Sequence, residues 1–113
     1  MEPYLSFTQN ELIMNLTITL LENKLSFSKE AIDFLNVSAG DRIAVNYVQV
    51  TNKESFPVVG KSDAFVDPNA GNKLTKSNTV SFRGMQHTML SQYGVEFTIE
   101  LFKNKMYKLI KIK

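Results

Sequence analysis

The chain has 113 residues, of which 13 are Lys or Arg and 11 are Asp or Glu, so its formal net charge is +2. With 43% apolar and 21% charged residues, its composition is that of one globular domain over residues 1–113, not of a disordered segment. The absence of cysteine excludes disulfides and thiolate metal sites, and one histidine cannot form a multi-histidine zinc site. We therefore expect no metal and no cofactor.

The first predicted element is a β-hairpin. Apolar residues alternate with Asn and Thr from Leu12 to Leu21, and this period of two is typical of a half-buried strand. Residues 22–24 then predict a turn, because Asn23 tolerates left-handed backbone. A short returning strand follows over 25–27.

A short helix and a longer strand come next. Ser28 is the predicted N-cap, since its hydroxyl can accept a hydrogen bond from a free amide of the first turn. The apolar spacing after it predicts a helix that ends near Asn36. Gly40 indicates the following turn, and the Ile, Val and Tyr content of residues 42–50 favours a strand.

The second half is predicted to be mainly β as well. Residues 51–75 contain Pro57, Gly60, Pro68 and Gly71, which favour an irregular connector with room for one strand. Further elements are predicted as a strand over 80–82, a helix over 85–93, and two antiparallel strands over 95–102 and 106–112. The predicted fold class is mainly β (α+β), an antiparallel small barrel or sandwich with two short helices.

The two halves share a short sequence similarity. Asn23-Lys24-Leu25-Ser26 resembles Asn72-Lys73-Leu74-Thr75, and a predicted helix, a glycine and an apolar strand follow each. Duplication and chance repetition of common strand-turn-helix chemistry both explain this pattern.

Residues 23–45 resemble the AbrB and MazE-like swapped-hairpin family, in which a strand, a short helix, Gly-Asp and a second strand follow one another. Phe27-Ser28 occupies the family's Leu-Pro position, Leu35-Asn36 its Leu-Gly position, and Gly40-Asp41 matches it directly. The resemblance implies DNA binding and dimerisation by strand exchange. Ile32 stands where the family commonly has an arginine that supports its DNA-binding surface, so that contact is not implied.

Positive charge is concentrated in the second half of the chain. Residues 1–71 hold five basic and nine acidic side chains, whereas residues 72–113 hold eight and two. Cations in such excess attract phosphate. The predicted nucleic-acid-binding residues are Lys73, Lys76, Arg83, Lys103, Lys105, Lys108 and Lys111, with Tyr93 and Tyr107 as stacking surfaces if the fold brings them together. The alternative is that lysines protect an edge strand from aggregation.

The function expected from these features is that of a small non-enzymatic DNA-associated regulator. No paired carboxylate motif and no glycine-rich phosphate loop is present, and His87 is expected to be a surface or partly buried polar residue. The alternative is a structural or protein-interaction module that forms homo-oligomers through exposed strand edges. We expect no membrane segment, since no apolar run approaches the roughly 18 to 20 residues required, and a cytoplasmic location.

Overall fold

The computed structural model describes residues 16–52, 54–65 and 71–113. Its elements in chain order are β1 (Ile18–Leu20), β2 (Lys24–Phe27), α1 (Lys29–Leu35), β3 (Arg42–Thr51), β4 (Glu54–Lys61), a 3-10 helix (Ser62–Ala64), β5 (Asn72–Lys73), β6 (Thr79–Ser81), α2 (Gly84–Ser91), β7 (Glu96–Lys103) and β8 (Met106–Lys111). The predicted fold class is confirmed: the chain is mainly antiparallel β with two short helices.

The strands form one nearly closed, barrel-shaped sheet. Their order is β5-β3-β4-β8-β7-β1-β2-β6, and each assigned pairing is antiparallel. The terminal strands β5 and β6 meet each other, because the Asn72 side-chain amide donates to the Ser81 carbonyl at 2.9 Å. The backbone N–H of Thr75 also donates to the Thr79 carbonyl, at 2.9 Å, in the turn between them.

The local signals around α1 are confirmed. The Ser28 hydroxyl accepts a hydrogen bond from the Ala31 N–H at 3.1 Å, so it is the N-cap. Asn36 ends the helix in the left-handed conformation, with φ 58°. The buried side chains of Ala31 and Leu35 anchor the helix on the sheet.

The strands differ from the sequence expectations in two places. The connector predicted for residues 51–75 left room for one strand, and it holds two: β4 (Glu54–Lys61), a long strand between β3 and β8, and the two-residue β5 (Asn72–Lys73). The expectation of irregular structure is wrong over those residues. Pro57 has no backbone N–H to donate, and it lies outside Val58 and Val59, the two residues of β4 that pair with β8. A proline is therefore tolerated at this position of the strand. The first predicted strand is found only at Ile18–Leu20, and its part before residue 16 lies outside the described residues.

The strand pairings repeat when the first half of the chain is exchanged for the second. β1, β2, α1, β3 and β4 correspond to β5, β6, α2, β7 and β8: β1 pairs β7 as β5 pairs β3, while β2 pairs β6 and β4 pairs β8. Core positions also correspond, in the pairs Leu25 and Val80, Phe27 and Phe82, Leu35 and Leu90, and Ile43 and Phe97. The chain is a pseudo-two-fold barrel in which each half hydrogen-bonds to the other.

The short sequence similarity does not follow this symmetry. It aligns Lys24 of β2 with Lys73 of β5, whereas the strand pairings make β2 equivalent to β6. The turn glycines do follow it, since Gly40 precedes β3 and Gly94 precedes β7, with φ of 98° and 154°. The structural repeat therefore stands on the pairings and not on the four matched residues.

Candidate nucleic-acid interface

The structure divides the seven predicted cationic residues into two groups. Lys73, Lys76 and Arg83 lie on or beside β5 and β6, where the sheet closes. The other four belong to the β7–β8 hairpin: Lys103, Lys105, Lys108 and Lys111. In the sheet order, β8 lies three strands from β5 and β7 lies three strands from β6, so the two groups occupy different sides of the barrel.

A row of outward-facing side chains crosses the closure of the sheet. Arg42 of β3 lies opposite Lys73 of β5, and Lys24 of β2 lies opposite Ser81 of β6. The hydrogen bond from Asn72 to Ser81 brings these two pairs side by side. Neighbouring strands are about 4.8 Å apart, so this row spans roughly 14 Å across four strands.

Arg83 extends this row beyond the end of β6. It is the exposed N-cap residue of α2, and it lines two clefts. One cleft lies between the closing strands and includes Asn72, Ser81 and Gln86; the other includes Lys24, Thr79 and Glu22. We name Lys24, Arg42, Lys73 and Arg83 the basic patch.

The basic patch is free to meet an anion from solvent. Lys24, Lys73 and Arg83 are exposed and form no ion pair with any described residue. Arg42 donates from Nη1 to the Gly71 carbonyl at 3.0 Å. A guanidinium has five N–H donors, so this bond leaves others available for an anion. Lys76 is also exposed, but it lies in the turn that begins β6, whereas Arg83 follows the end of that strand.

The pseudo-symmetry provides an internal comparison for this patch. The positions equivalent to Arg42, Lys73, Ser81 and Lys24 are Glu96, Thr19, Ser26 and Thr79, and the registers Thr19 to Glu96 and Ser26 to Thr79 repeat those of the basic row. The N-cap equivalent to Arg83 is Ser28. The same backbone arrangement thus carries cations in one copy and hydroxyls with a carboxylate in the other.

The hairpin lysines have a different environment. Lys108 lies opposite Glu100 on β7, and its ammonium is 4.5 Å from the centre of the Phe56 ring. Phe56 in turn contacts Phe102 edge to face, with ring centres 5.1 Å apart. Lys103 and Lys105 are exposed near the hairpin turn, where Leu101 is 63% exposed and Phe102 40% exposed. This surface is therefore mixed apolar and cationic.

The two tyrosines considered for base stacking pack within the protein. Tyr107 contacts Phe34 of α1 edge to face at 5.4 Å, and Tyr93 stacks on Tyr47 at 5.7 Å. The Tyr93 and Ser55 hydroxyls also share a hydrogen bond of 2.6 Å. Burial and the neighbouring Tyr93 raise the pKa of Tyr47 to about 12. None of these rings lines the two clefts at Arg83.

Sequence reasoning missed Lys24 and Arg42. Both belong to the half of the chain with an excess of acidic residues, and the predicted contacts were taken only from the basic half. Lys24 is identified by its pairing with Ser81, and Arg42 by its pairing with Lys73. Each pairing joins distant segments of the chain, so no local sequence pattern reveals it.

His87 has a structural contact: its Nε2 lies 2.7 Å from the Leu21 carbonyl, so it links α2 to the β1–β2 turn. Within the described ranges, no group of three His, Asp or Glu residues is arranged to hold a metal ion. No helix among those residues has the length and apolarity to span a membrane. No family model matches the sequence, and neither the curated proteins nor the solved structures compared with it include a match.

Proposed function

We propose that this chain is a small non-enzymatic DNA-associated regulator that binds duplex DNA through the basic patch. The observation that carries the proposal is the row Arg42, Lys73 and Lys24 across the sheet closure, with Arg83 at its end. Lysine and arginine side chains on one surface neutralise phosphates and release condensed counterions, which is the main source of sequence-independent affinity for DNA.

A duplex suits this patch better than a single strand. Binding of single strands relies on exposed aromatic faces for base stacking. The nearest aromatic residues along the chain, Phe27 and Phe82, are 4% and 7% exposed and belong to the core. The row of roughly 14 Å is comparable with the width of the DNA major groove, about 12 Å. Such a row can contact phosphates on both sides of that groove.

The resemblance to the AbrB and MazE-like family supports the regulatory role. The implied order of strand, helix, Gly-Asp and strand corresponds to β2, α1, Gly40-Asp41 and β3. The strand exchange that the resemblance implies between two subunits has a counterpart in the pairing between the two halves of this chain. We propose that one chain fills the role of a strand-exchanged dimer.

A protein-interaction module is the second candidate. Leu101 and Phe102, exposed neighbours in sequence near the β7–β8 turn, favour it, because large exposed apolar side chains are common at protein interfaces. Homo-oligomers formed through open strand edges have less support, since the terminal strands β5 and β6 meet each other. An interface on the hairpin would bind mainly by apolar burial and would depend little on salt.

The deciding experiment is a comparison of two triple variants in duplex-DNA binding, measured by fluorescence anisotropy. Lys24→Ala/Lys73→Ala/Arg83→Ala should lower the affinity about tenfold or more, because three phosphate contacts are lost. The control Lys103→Ala/Lys105→Ala/Lys111→Ala removes the same charge from the hairpin and should change the affinity about threefold at most. Equal losses in both variants, or no loss in the first, would contradict the proposal.

A further inference from the structure

The pseudo-symmetric barrel offers two equivalent surfaces, and their chemistry differs. On one, Arg42 and Lys73 are directly opposite each other on β3 and β5. On the other, Glu96 and Thr19 occupy the equivalent places on β7 and β1. Because the backbone pairing is the same, the difference lies in the side chains alone. A phosphate that two cations attract on the first surface meets a carboxylate and a hydroxyl on the second.

The N-caps of the two helices follow the same division. The Ser28 hydroxyl accepts hydrogen bonds from the N–H groups of Ala31 and Thr17, each at 3.1 Å, and the Ser28 N–H donates to the Thr17 carbonyl at 2.9 Å. The start of α1 is thus closed by contacts within the protein. Arg83 forms no side-chain cap bond and lines two clefts. The N-cap of α1 is thus used for folding, whereas the N-cap of α2 is left open to solvent.

The two surfaces meet at β2 and β6, but the Arg42–Lys73 pair and the Glu96–Thr19 pair lie on different sides of the barrel. In the sheet order β3-β5-β6-β2-β1-β7, with β5 and β6 meeting at the closure, three strand positions separate β5 from β1. In a closed sheet of eight strands, three positions amount to somewhat more than a third of the circumference. One straight duplex that contacts Arg42 and Lys73 therefore does not reach Thr19 and Glu96, and a second duplex would need cations at those two positions.

We infer that the chain binds a single duplex segment through one of its two pseudo-equivalent surfaces, and that it recognises no two-fold symmetric site. A strand-exchanged dimer of identical subunits presents two equal surfaces, and its two-fold symmetry is mirrored in palindromic sites. Here the fold keeps that arrangement, but the side chains make it one-sided. This inference rests on the proposed function and specifies its partner as one asymmetric stretch of DNA.

The test begins with the stoichiometry of the natural chain. A duplex of about 12 base pairs, a little more than one helical turn, is titrated with protein and followed by isothermal calorimetry and sedimentation velocity. We expect one duplex per chain, with equal affinity for palindromic and non-palindromic sequences. Two duplexes per chain, or a clear preference for a palindrome, would overturn the inference while leaving the proposed function intact. Absence of any duplex binding would overturn both.

A pair of variants then tests the cause. Thr19→Lys/Glu96→Arg copies the Lys73 and Arg42 pair onto the second surface, and we expect it to bind two duplexes per chain. Arg42→Glu/Lys73→Thr copies the second surface onto the first, and we expect it to lose most of the affinity. Circular dichroism establishes that both variants are folded. If the first variant still binds one duplex, the side chains are not what makes the chain one-sided, and the inference fails; the stoichiometry of the natural chain tests it even if that variant does not fold.

Discussion

The two pseudo-equivalent surfaces of this barrel share a backbone arrangement and differ in the side chains that they present. On one surface, the N-cap Ser28 binds neighbouring amides, and Thr19 lies opposite Glu96. On the other, the N-cap Arg83 binds no amide through its side chain, and Lys73 lies opposite Arg42. The core and the strand pairing required by the fold therefore leave outward positions free to differ. One surface serves the fold alone, while the other is free to carry the proposed binding site.

The largest effect on stability is expected at Gly71, which precedes β5 and lies against β3. This residue has φ 76°, and a Cβ there would overlap the Ile43 carbonyl, so Gly71→Ala forces β5 away from β3. We expect a loss of about 3 kcal/mol or more in urea unfolding, because left-handed strain and a backbone clash add together.

Gly84→Ala is the matched control for that variant. Gly84 has φ 65°, but a Cβ there meets nothing within 4 Å. Only the left-handed strain remains, which costs about 1–2 kcal/mol. If the free energy of unfolding fell by the same amount in Gly71→Ala and Gly84→Ala, the close contact between Gly71 and β3 would be refuted.

A smaller effect separates the two N-caps. Ser28→Ala removes the acceptor for the Ala31 and Thr17 amides, and it should cost about 1–2 kcal/mol in thermal or urea unfolding. Arg83→Ala removes no cap bond, so we expect a change within about 0.5 kcal/mol. DNA affinity should respond in the reverse order, falling for Arg83→Ala and staying unchanged for Ser28→Ala. A stability loss of similar size in both variants would refute the proposed difference between the two N-caps, in which Ser28 stabilises the fold and Arg83 contacts DNA.

Local chemistry predicted much of the fold. Ser28 and Asn36 delimit α1 as expected because a cap hydroxyl and a left-handed asparagine act within a few residues of the helix. One strand was expected somewhere in residues 51–75, but the bounds and length of β4 were not predicted, because Pro57 and Gly60 are typical of turns. Gly60 is in fact required by tertiary packing, since the Lys105 carbonyl approaches 2.6 Å from where its Cβ would lie.

The candidate site was less predictable than the fold. Lys73 and Arg83 were identified from the local excess of positive charge, but the same reasoning grouped them with Lys108, which lies on another side of the barrel. Lys24 and Arg42 enter the patch only through pairings between distant segments. Surface composition depends on such long-range register, which the alternation of apolar residues within one strand does not specify.

The most direct test of DNA binding through the basic patch is the salt dependence of duplex binding between about 50 and 200 mM salt. With the four cations of the basic patch neutralising phosphates, the logarithm of the association constant should fall against the logarithm of salt concentration with a slope of about −4. Lys24→Ala/Lys73→Ala/Arg83→Ala should reduce this slope to about −1. A slope near zero for the natural chain, or a slope that this triple variant leaves unchanged, would show that the basic patch does not bind duplex DNA.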